Sequence, residues 1–261
     1  MIKRILNIAL WIIAVSAVAA FAIYALYQNG ETTCNELKIE LEDENNDFQL
    51  TSVEELRTEL LQNYLPIEGQ KIKNLNLKEI EKNASQISYL QNQDAYFDIN
   101  GDVFIIANQR KAVVRVYNRV KQHFYLGTDT VVMPLSPQHS LRLLLASGAL
   151  PRLSNVYFTQ SKNDLPDLPD IYKKIYILAA KIQKDEFLNA LIDQIYVKQN
   201  MEFELIPKVG IGIVEFGNIE NADDKLKRLK IFYIEGKEKI NWNIYKSINL
   251  KYKNQVVCTK K

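Results

Sequence analysis

The first pattern along the chain is an apolar run that carries no charge. No charged side chain stands between Arg4 and Glu31, and residues 5–27 are almost wholly aliphatic or aromatic. These 23 residues make about 34 Å of helix against a hydrocarbon core of about 30 Å. The run predicts one transmembrane helix. Lys3 and Arg4 precede it, and Glu31 and Glu36 follow. The positive-inside rule therefore makes residues 1–4 a cytoplasmic tail and sends everything after Gly30 across the membrane. A cleavable signal peptide is the rival reading, because Ala17-Val18-Ala19 and Ala20-Phe21-Ala22 present small residues as a cleavage site does. Against it, the apolar run continues past both sites and exceeds the usual apolar core of about 7–15 residues.

Beyond the run the periodicity changes twice. Leu37, Ile39 and Leu41 alternate with charged residues, the pattern of a half-buried strand. Residues 42–49 form a polar loop. Thr51-Ser52-Val53-Glu54 matches a capping box, and Val53, Leu56, Leu60 and Leu61 share one face of the helix it opens, which Pro66 and Gly69 close. A second helix starts at Asn76 as N-cap, with Leu77, Ile80, Ala84 and Ile87 at helical spacing. Ala95, Phe97 and Ile99 then alternate, Asn100-Gly101 follows, and Val103, Ile105 and Ala107 alternate again, which predicts a type I′ hairpin. The order β-α-α-β-β gives a small sheet layered with two helices.

After Arg110 the strands shorten: 113–117, 123–126 and 130–133, with stops at Gly127, Pro134 and Pro137. Leu141–Leu145 reads as a buried strand before Ser147-Gly148 and Pro151. Residues 161–169 form a proline-bearing loop, and Ile171, Ile175, Leu178 and Ile182 mark a helix. Strands resume at 192–197, 201–206 and 211–216, with turns at Gln199-Asn200 and Gly210. Asn221 is placed as the cap of a last helix, with Asp223 and Asp224 in its first turn and Leu226, Leu229 and Phe232 facing inward. Ile248, Leu250 and Tyr252 then alternate with Asn249, Lys251 and Lys253 in a terminal strand that bulges or turns at Asn254-Gln255 before Val256, Val257 and Cys258. The fold class is α+β: one N-terminal transmembrane helix, a β-α-α-β-β module and a mostly antiparallel β domain with helices.

Charge narrows the partners. Of 261 residues, 33 are Lys or Arg and 31 are Asp or Glu, and setting Lys3 and Arg4 aside leaves 31 against 31 in the ectodomain. Such balance argues against nucleic acid. The ends differ in sign, since residues 31–60 hold ten acids against Lys38 and Arg57, whereas residues 225–261 hold eleven bases against Glu235 and Glu238. Either these are solvated faces of ordinary helices or they are surfaces for different partners.

Chemistry is sparse. Gly210-x-Gly212 has Glu215 where a phosphate loop needs its third glycine, and a strand follows it, so it is a hairpin turn. Ser147 lacks the first glycine of a nucleophile elbow. His123 falls at a strand start and His139 in a surface loop, neither with a carboxylate partner in the pattern. No zinc spacing exists. Cys34 and Cys258 both lie beyond the membrane, where a disulfide persists, and spacing alone leaves open whether they pair.

Four stretches carry a family resemblance. They are Gln109-Arg110 with Val113, Val114 and Arg115; Phe124-Tyr125-Leu126 with Asp129 and Met133-Pro134; residues 204–210 (ELIPKVG) followed by Glu215-Phe216-Gly217; and residues 248–258 (INLKYKNQVVC). Together with a short tail, one membrane pass and the β-α-α-β-β module, they resemble the FtsQ/DivIB family of bacterial cell-division proteins in its Bacteroidetes form. Ala112 replaces the family's usual proline, and Gly127 falls where an aspartate is expected.

The resemblance implies a POTRA domain at 34–109, a β domain at 110–258 and a C-terminal tail at 259–261. It implies no catalysis, no cofactor or metal and no small-molecule substrate. The implied role is a divisome scaffold in the inner membrane at the division septum, recruiting FtsB- and FtsL-like bitopic partners and linking them to the septal synthase pair FtsW and FtsI. The implied binding residues are Ile248, Leu250, Lys251, Tyr252 and Lys253. Elementary chemistry agrees, because a terminal strand with an open edge accepts an incoming segment by β-augmentation. One alternative is a POTRA-type module that assists envelope protein assembly. The other is an extracytoplasmic enzyme of unrecognised type.

Overall fold

The uncharged run folds as α1 (Ile2–Glu31), one continuous helix. A computed structural model describes residues 2–42, 50–63, 66–136, 141–159, 166–236 and 241–261. Side chains of α1 are described from Leu10 to Tyr24, all of them exposed, and this stretch corresponds to about 22 Å of helix, less than a bilayer core. Accordingly, among the described residues no helix is long and apolar enough to cross a membrane. His139 and most of the predicted loops at 42–49 and 161–169 lie outside the described residues.

The chain divides into two units: Met1–Asp43 with Ser52–Ser85 and Asn92–Asn108, and Glu44–Thr51 with Gln86–Gln91 and Gln109–Lys261. The first unit carries β1 (Leu37–Leu41), α2 (Val53–Asn63), α3 (Leu77–Ala84), β2 (Leu90–Phe97) and β3 (Val103–Gln109). Its sheet has the order β1-β3-β2, with β1 parallel to β3 in the register Leu37↔Val103. Alternation buries Leu37, Ile39, Val103, Ile105 and Ala107, and α2 packs on β1 through Leu56 and Leu60.

The capping box is one residue later than Thr51 to Glu54. Ser52 Oγ accepts from the Glu55 amide at 3.2 Å and Glu55 Oε2 accepts from the Ser52 amide at 3.1 Å, so Ser52 is the cap. Asn76 does cap α3, with its side chain accepting from the Lys78 amide at 3.1 Å. The β2–β3 connection differs from the predicted two-residue turn. It is a five-residue loop, Asp98–Asp102, in which Gly101 alone has a positive φ. The cause is Asp98, whose carboxylate accepts from the amides of Asn100 (2.9 Å) and Asp102 (2.8 Å) and stops the ladder early. Ile99 consequently leaves the strand and is 99% exposed.

The second unit holds β4 (Ala112–Tyr117), β5 (His123–Gly127), β6 (Val132–Pro134), β7 (Leu145–Gly148), α4 (Val156–Thr159), α5 (Asp170–Gln183), α6 (Glu186–Leu191), β8 (Ile192–Val197), β9 (Phe203–Pro207), β10 (Ile213–Gly217), α7 (Ala222–Gly236), β11 (Tyr245–Asn249) and β12 (Val257–Lys260). One nine-stranded sheet runs β12-β11-β10-β9-β8-β7-β4-β5-β6. It is mostly antiparallel, with parallel pairs at β4–β7, β7–β8 and β10–β11. One core joins Val114, Val116, Ile195, Phe203, Val214 and Ile248 of the sheet to Tyr172, Ile175, Leu178 and Ile182 of α5 and Leu226 and Leu229 of α7. The opposite face carries the alternate residues Arg115, Gln194, Tyr196, Glu204 and Glu215, all half-buried or exposed.

Residues 141–144 are not a strand. The Leu141 amide donates to the Tyr125 hydroxyl at 3.4 Å, the Leu144 carbonyl accepts from Arg115, and pairing starts only at Leu145. The strand ends at Gly148, with φ +105°, where a Cβ would lie 2.2 Å from the Val197 carbonyl oxygen. Only glycine fits there. Asn221 sits at φ +52° as the turn before α7 and not as an extended N-cap. Tyr233, stacked on Trp242 at 4.9 Å, takes the inward position expected of Phe232.

Candidate partner-binding site

The sheet's last hairpin sets the geometry. β11 is an inner strand, parallel to β10 (Val214↔Ile248, Glu215↔Asn249) and antiparallel to β12 (Ile248↔Cys258, Asn249↔Val257). β12 is the edge strand. Val257, Thr259 and Lys260 on it are exposed. An edge of this kind presents outward amide and carbonyl groups to whatever approaches.

The five residues predicted to bind partners separate into two sets. Ile248 and Leu250 are fully buried in the core, so they shape the hairpin and present nothing to a partner. Lys251, Tyr252 and Lys253 are exposed, and Tyr252 is 52% accessible. The expected strand from Ile248 to Lys253 stops at Asn249: the Leu250 amide still donates to the Glu215 carbonyl at 3.0 Å as the last rung of the parallel ladder, and Asn249 Oδ1 then accepts from the Lys251 amide at 2.9 Å and turns the chain away. From Leu250 to Val256 the chain is a connecting turn, with Asn254 at φ +57°.

Two groups hold that turn. Arg228 of α7 donates through Nη1 to the carbonyl of Tyr252 (2.9 Å) and to that of Gln255, and through Nη2 to that of Leu250 (3.2 Å). Its Nε donates to Asp224 Oδ2 at 2.9 Å, one helical turn back. Glu215 is the second group. Its carboxylate accepts from Ser247 Oγ (3.1 Å) and Asn249 Nδ2 (3.0 Å), and it lies 3.7 Å from Lys251 Nζ. Nothing in the sequence pattern marks either residue for this role. The spacing of Asp224 and Arg228 signals only a helical ion pair.

Electrostatics make the turn cationic at its tip and neutralised at its base. Lys251 Nζ also reaches Glu202 Oε2 at 3.5 Å. The Asn200 side chain, and after it Lys251, hold the Glu202 carboxyl below the usual carboxylate range. Lys253 has no ion-pair partner among the described residues. Nearby, Lys225 is buried, donates to the Asn218 carbonyl at 2.9 Å and lies 5.0 Å over the Phe216 ring; burial lowers its pKa.

The other candidate groups lie elsewhere. Arg115 Nε donates to His123 Nε2 at 2.6 Å beside a cleft of about 900 Å³ that Arg142, Asp193 and Lys208 also line. Burial and then Arg115 depress the His123 pKa. The Ser147 hydroxyl accepts from Gln194 Nε2. Cys34 and Cys258 are free thiols, each with its pKa raised, chiefly by burial.

The hairpin closes the region that a family model matches. FtsQ/DivIB, C-terminal related, covers residues 111–259, from the start of β4 through β12. The chain belongs to this family. No curated protein matches the sequence. As an FtsQ/DivIB-related chain it has a role in cell division, and proteins of this kind are in general division proteins without enzymatic activity.

Proposed function

We propose that this FtsQ/DivIB-related chain is a non-catalytic scaffold of the division machinery, held in the inner membrane by α1 with its N-terminus in the cytoplasm. The first unit is its POTRA domain and the second its β domain. FtsB- and FtsL-like bitopic proteins bind at β12 and the adjoining turn, and through them the scaffold meets FtsW and FtsI at the septum. One observation carries this reading: the sheet ends on an exposed edge strand, and the turn leading into it displays Lys251, Tyr252 and Lys253.

A strand added at β12 would satisfy its outward backbone groups, each hydrogen bond worth about 0.5–1.5 kcal/mol net. Tyr252 offers a large rigid ring and Lys253 a cation for a partner carboxylate. The anchor is supported by α1, a helix without charge between Arg4 and Glu31. The POTRA assignment is supported by the β-α-α-β-β order of the first unit.

The test is the affinity of the full chain in nanodiscs for an FtsB-like partner. Tyr252→Asp weakens binding by about 1–4 kcal/mol if the ring is a hot spot, and leaves the circular dichroism unchanged because the side chain is exposed. Unaltered affinity removes the turn from the interface.

A further inference from the structure

Parallel pairing fixes which loops share an end of the small sheet. β1 and β3 run in the same direction with Leu37 opposite Val103, so the chain entering β1 and the loop entering β3 lie together. Helix α1 leads into β1 through residues 32–36, and the loop Asp98–Asp102 leads into β3.

The contacts are direct. The Asn35 amide donates to the Gly101 carbonyl at 3.2 Å, and Asn35 Nδ2 donates to that of Asn100 at 2.7 Å. A Cβ on Gly101 would stand 2.9 Å from both Thr32 Cγ2 and the Thr33 carbonyl oxygen, so nothing bulkier than glycine allows this approach. Ile72 joins the same end, its amide donating to the Thr32 carbonyl at 2.9 Å, and Thr33 bridges Lys71.

At this end stands Ile99, at 99% the most exposed large apolar side chain among the described residues. Mobility does not explain that exposure, because Asp98 holds the loop with hydrogen bonds to Asn100 and Asp102. Of the carboxylates nearby, Asp98 is engaged by loop amides, Asp102 by Lys38 and Glu36 by Arg57.

If α1 crosses the membrane, its apolar run ends at Tyr27, and residues 28–31 add about 6 Å of helix. The headgroup layer of one leaflet is about 5–7 Å thick. The hairpin tip is bonded to the residues next in the chain. We infer that Ile99 and its loop insert into the lipid interface of the bilayer that α1 spans, seating the first unit on that surface. The inference rests on the membrane reading of α1.

The full chain, with Cys258→Ser, is labelled through Ile99→Cys with an environment-sensitive fluorophore. Parallel samples carry Ser16→Cys in α1 or Asn108→Cys, which lies at the opposite end of β3, about 17 Å from Val103. Cys34 is 1% exposed and stays unlabelled, which a sample with Cys258→Ser alone verifies. Matched vesicles of phosphatidylcholine and phosphatidylglycerol contain lipids with a nitroxide either near the headgroup or on the acyl chain near the bilayer centre, the depth of Ser16 midway along residues 5–27. At least twofold quenching of position 99 by the headgroup nitroxide and of position 16 by the acyl-chain nitroxide, with none at 108 by either, is the expected result. Position 99 behaving as 108 does while 16 is quenched overturns the seating and leaves the anchor standing. No quenching at 16 overturns the anchor and the seating together.

Discussion

Arg228→Ala removes the group that ties the β11–β12 turn to α7, and its cost can be worked from the hydrogen bonds. The Arg228 side chain is 14% exposed. It donates to three carbonyls in the turn. A hydrogen bond to a charged group is worth about 1.5–3 kcal/mol when buried. These carbonyls sit in an open turn and regain water when the side chain is lost, so the three together come to about 2–3 kcal/mol. The Asp224 contact adds little, because Asp224 is 51% exposed and surface pairs are worth about 0–1 kcal/mol. The loss falls on the hairpin more than on the core, since Leu226 and Leu229 carry the packing of α7.

Urea unfolding of the variant therefore shows a stability drop of about 2 kcal/mol with an unchanged m-value. Hydrogen exchange reports faster amides in residues 250–259. Arg228→Lys restores less than half, because an ammonium cannot reach three carbonyls with one planar fork. Asp224→Asn costs less than 1 kcal/mol. Unchanged exchange in the turn of the Arg228→Ala variant would refute the assignment of Arg228 as its anchor.

Buried polar groups in the second unit give further expected outcomes. Arg110 is 5% exposed, donates to the carbonyls of Ser88 and Leu90 at 2.9 Å each and pairs with Asp129. Arg110→Met lowers unfolding stability by about 2–3 kcal/mol, because it takes the guanidinium away from the carbonyls of Ser88 and Leu90 and from the Asp129 carboxylate, whose side chain is 24% exposed, and adding Asp129→Leu recovers part of that loss, measured by urea denaturation. Tyr172 and Tyr233 have phenols pushed up to about 12, mainly by burial. An unfolded tyrosine titrates near 10, so their stabilisation is whole below about pH 10 and is lost between about pH 10 and 12, roughly 2–3 kcal/mol each. Denaturation curves at stepped alkaline pH should show that fall, and Tyr172→Phe should flatten it.

Much of this architecture can be read from periodicity. The strand at Ile192–Val197 and the helix bearing Ile175, Leu178 and Ile182 stand where their patterns place them, because each buries one face and turn signals bound it. Three kinds of feature escape. Local chemistry shifts boundaries by a residue or two: Ser52 outcompetes Thr51 as cap, and Asp98 ends a ladder that alternation carries on to Ile99. Strand direction is invisible, since the alternation of β10 and β11 is the same for parallel as for antiparallel partners. α6 is also too short to show a period.

The binding site shows the same limit. Alternation runs through Ile248, Leu250 and Tyr252, yet the first two are core and the third is turn. Local chemistry decides this, since Asn249 Oδ1 takes the Lys251 amide just past the last rung of the ladder at Leu250. The partners of Arg228 are carbonyls 22 to 27 positions away, and carbonyls leave no mark in a sequence.

The most direct test of the scaffold reading is hydrogen exchange of the full chain in nanodiscs, with and without a saturating FtsB-like partner. Binding by strand addition at the edge slows the outward amides of Val257–Lys260 at least tenfold and leaves those of β6 at the other edge unchanged. Saturated binding with no slowing in β12 would contradict the account.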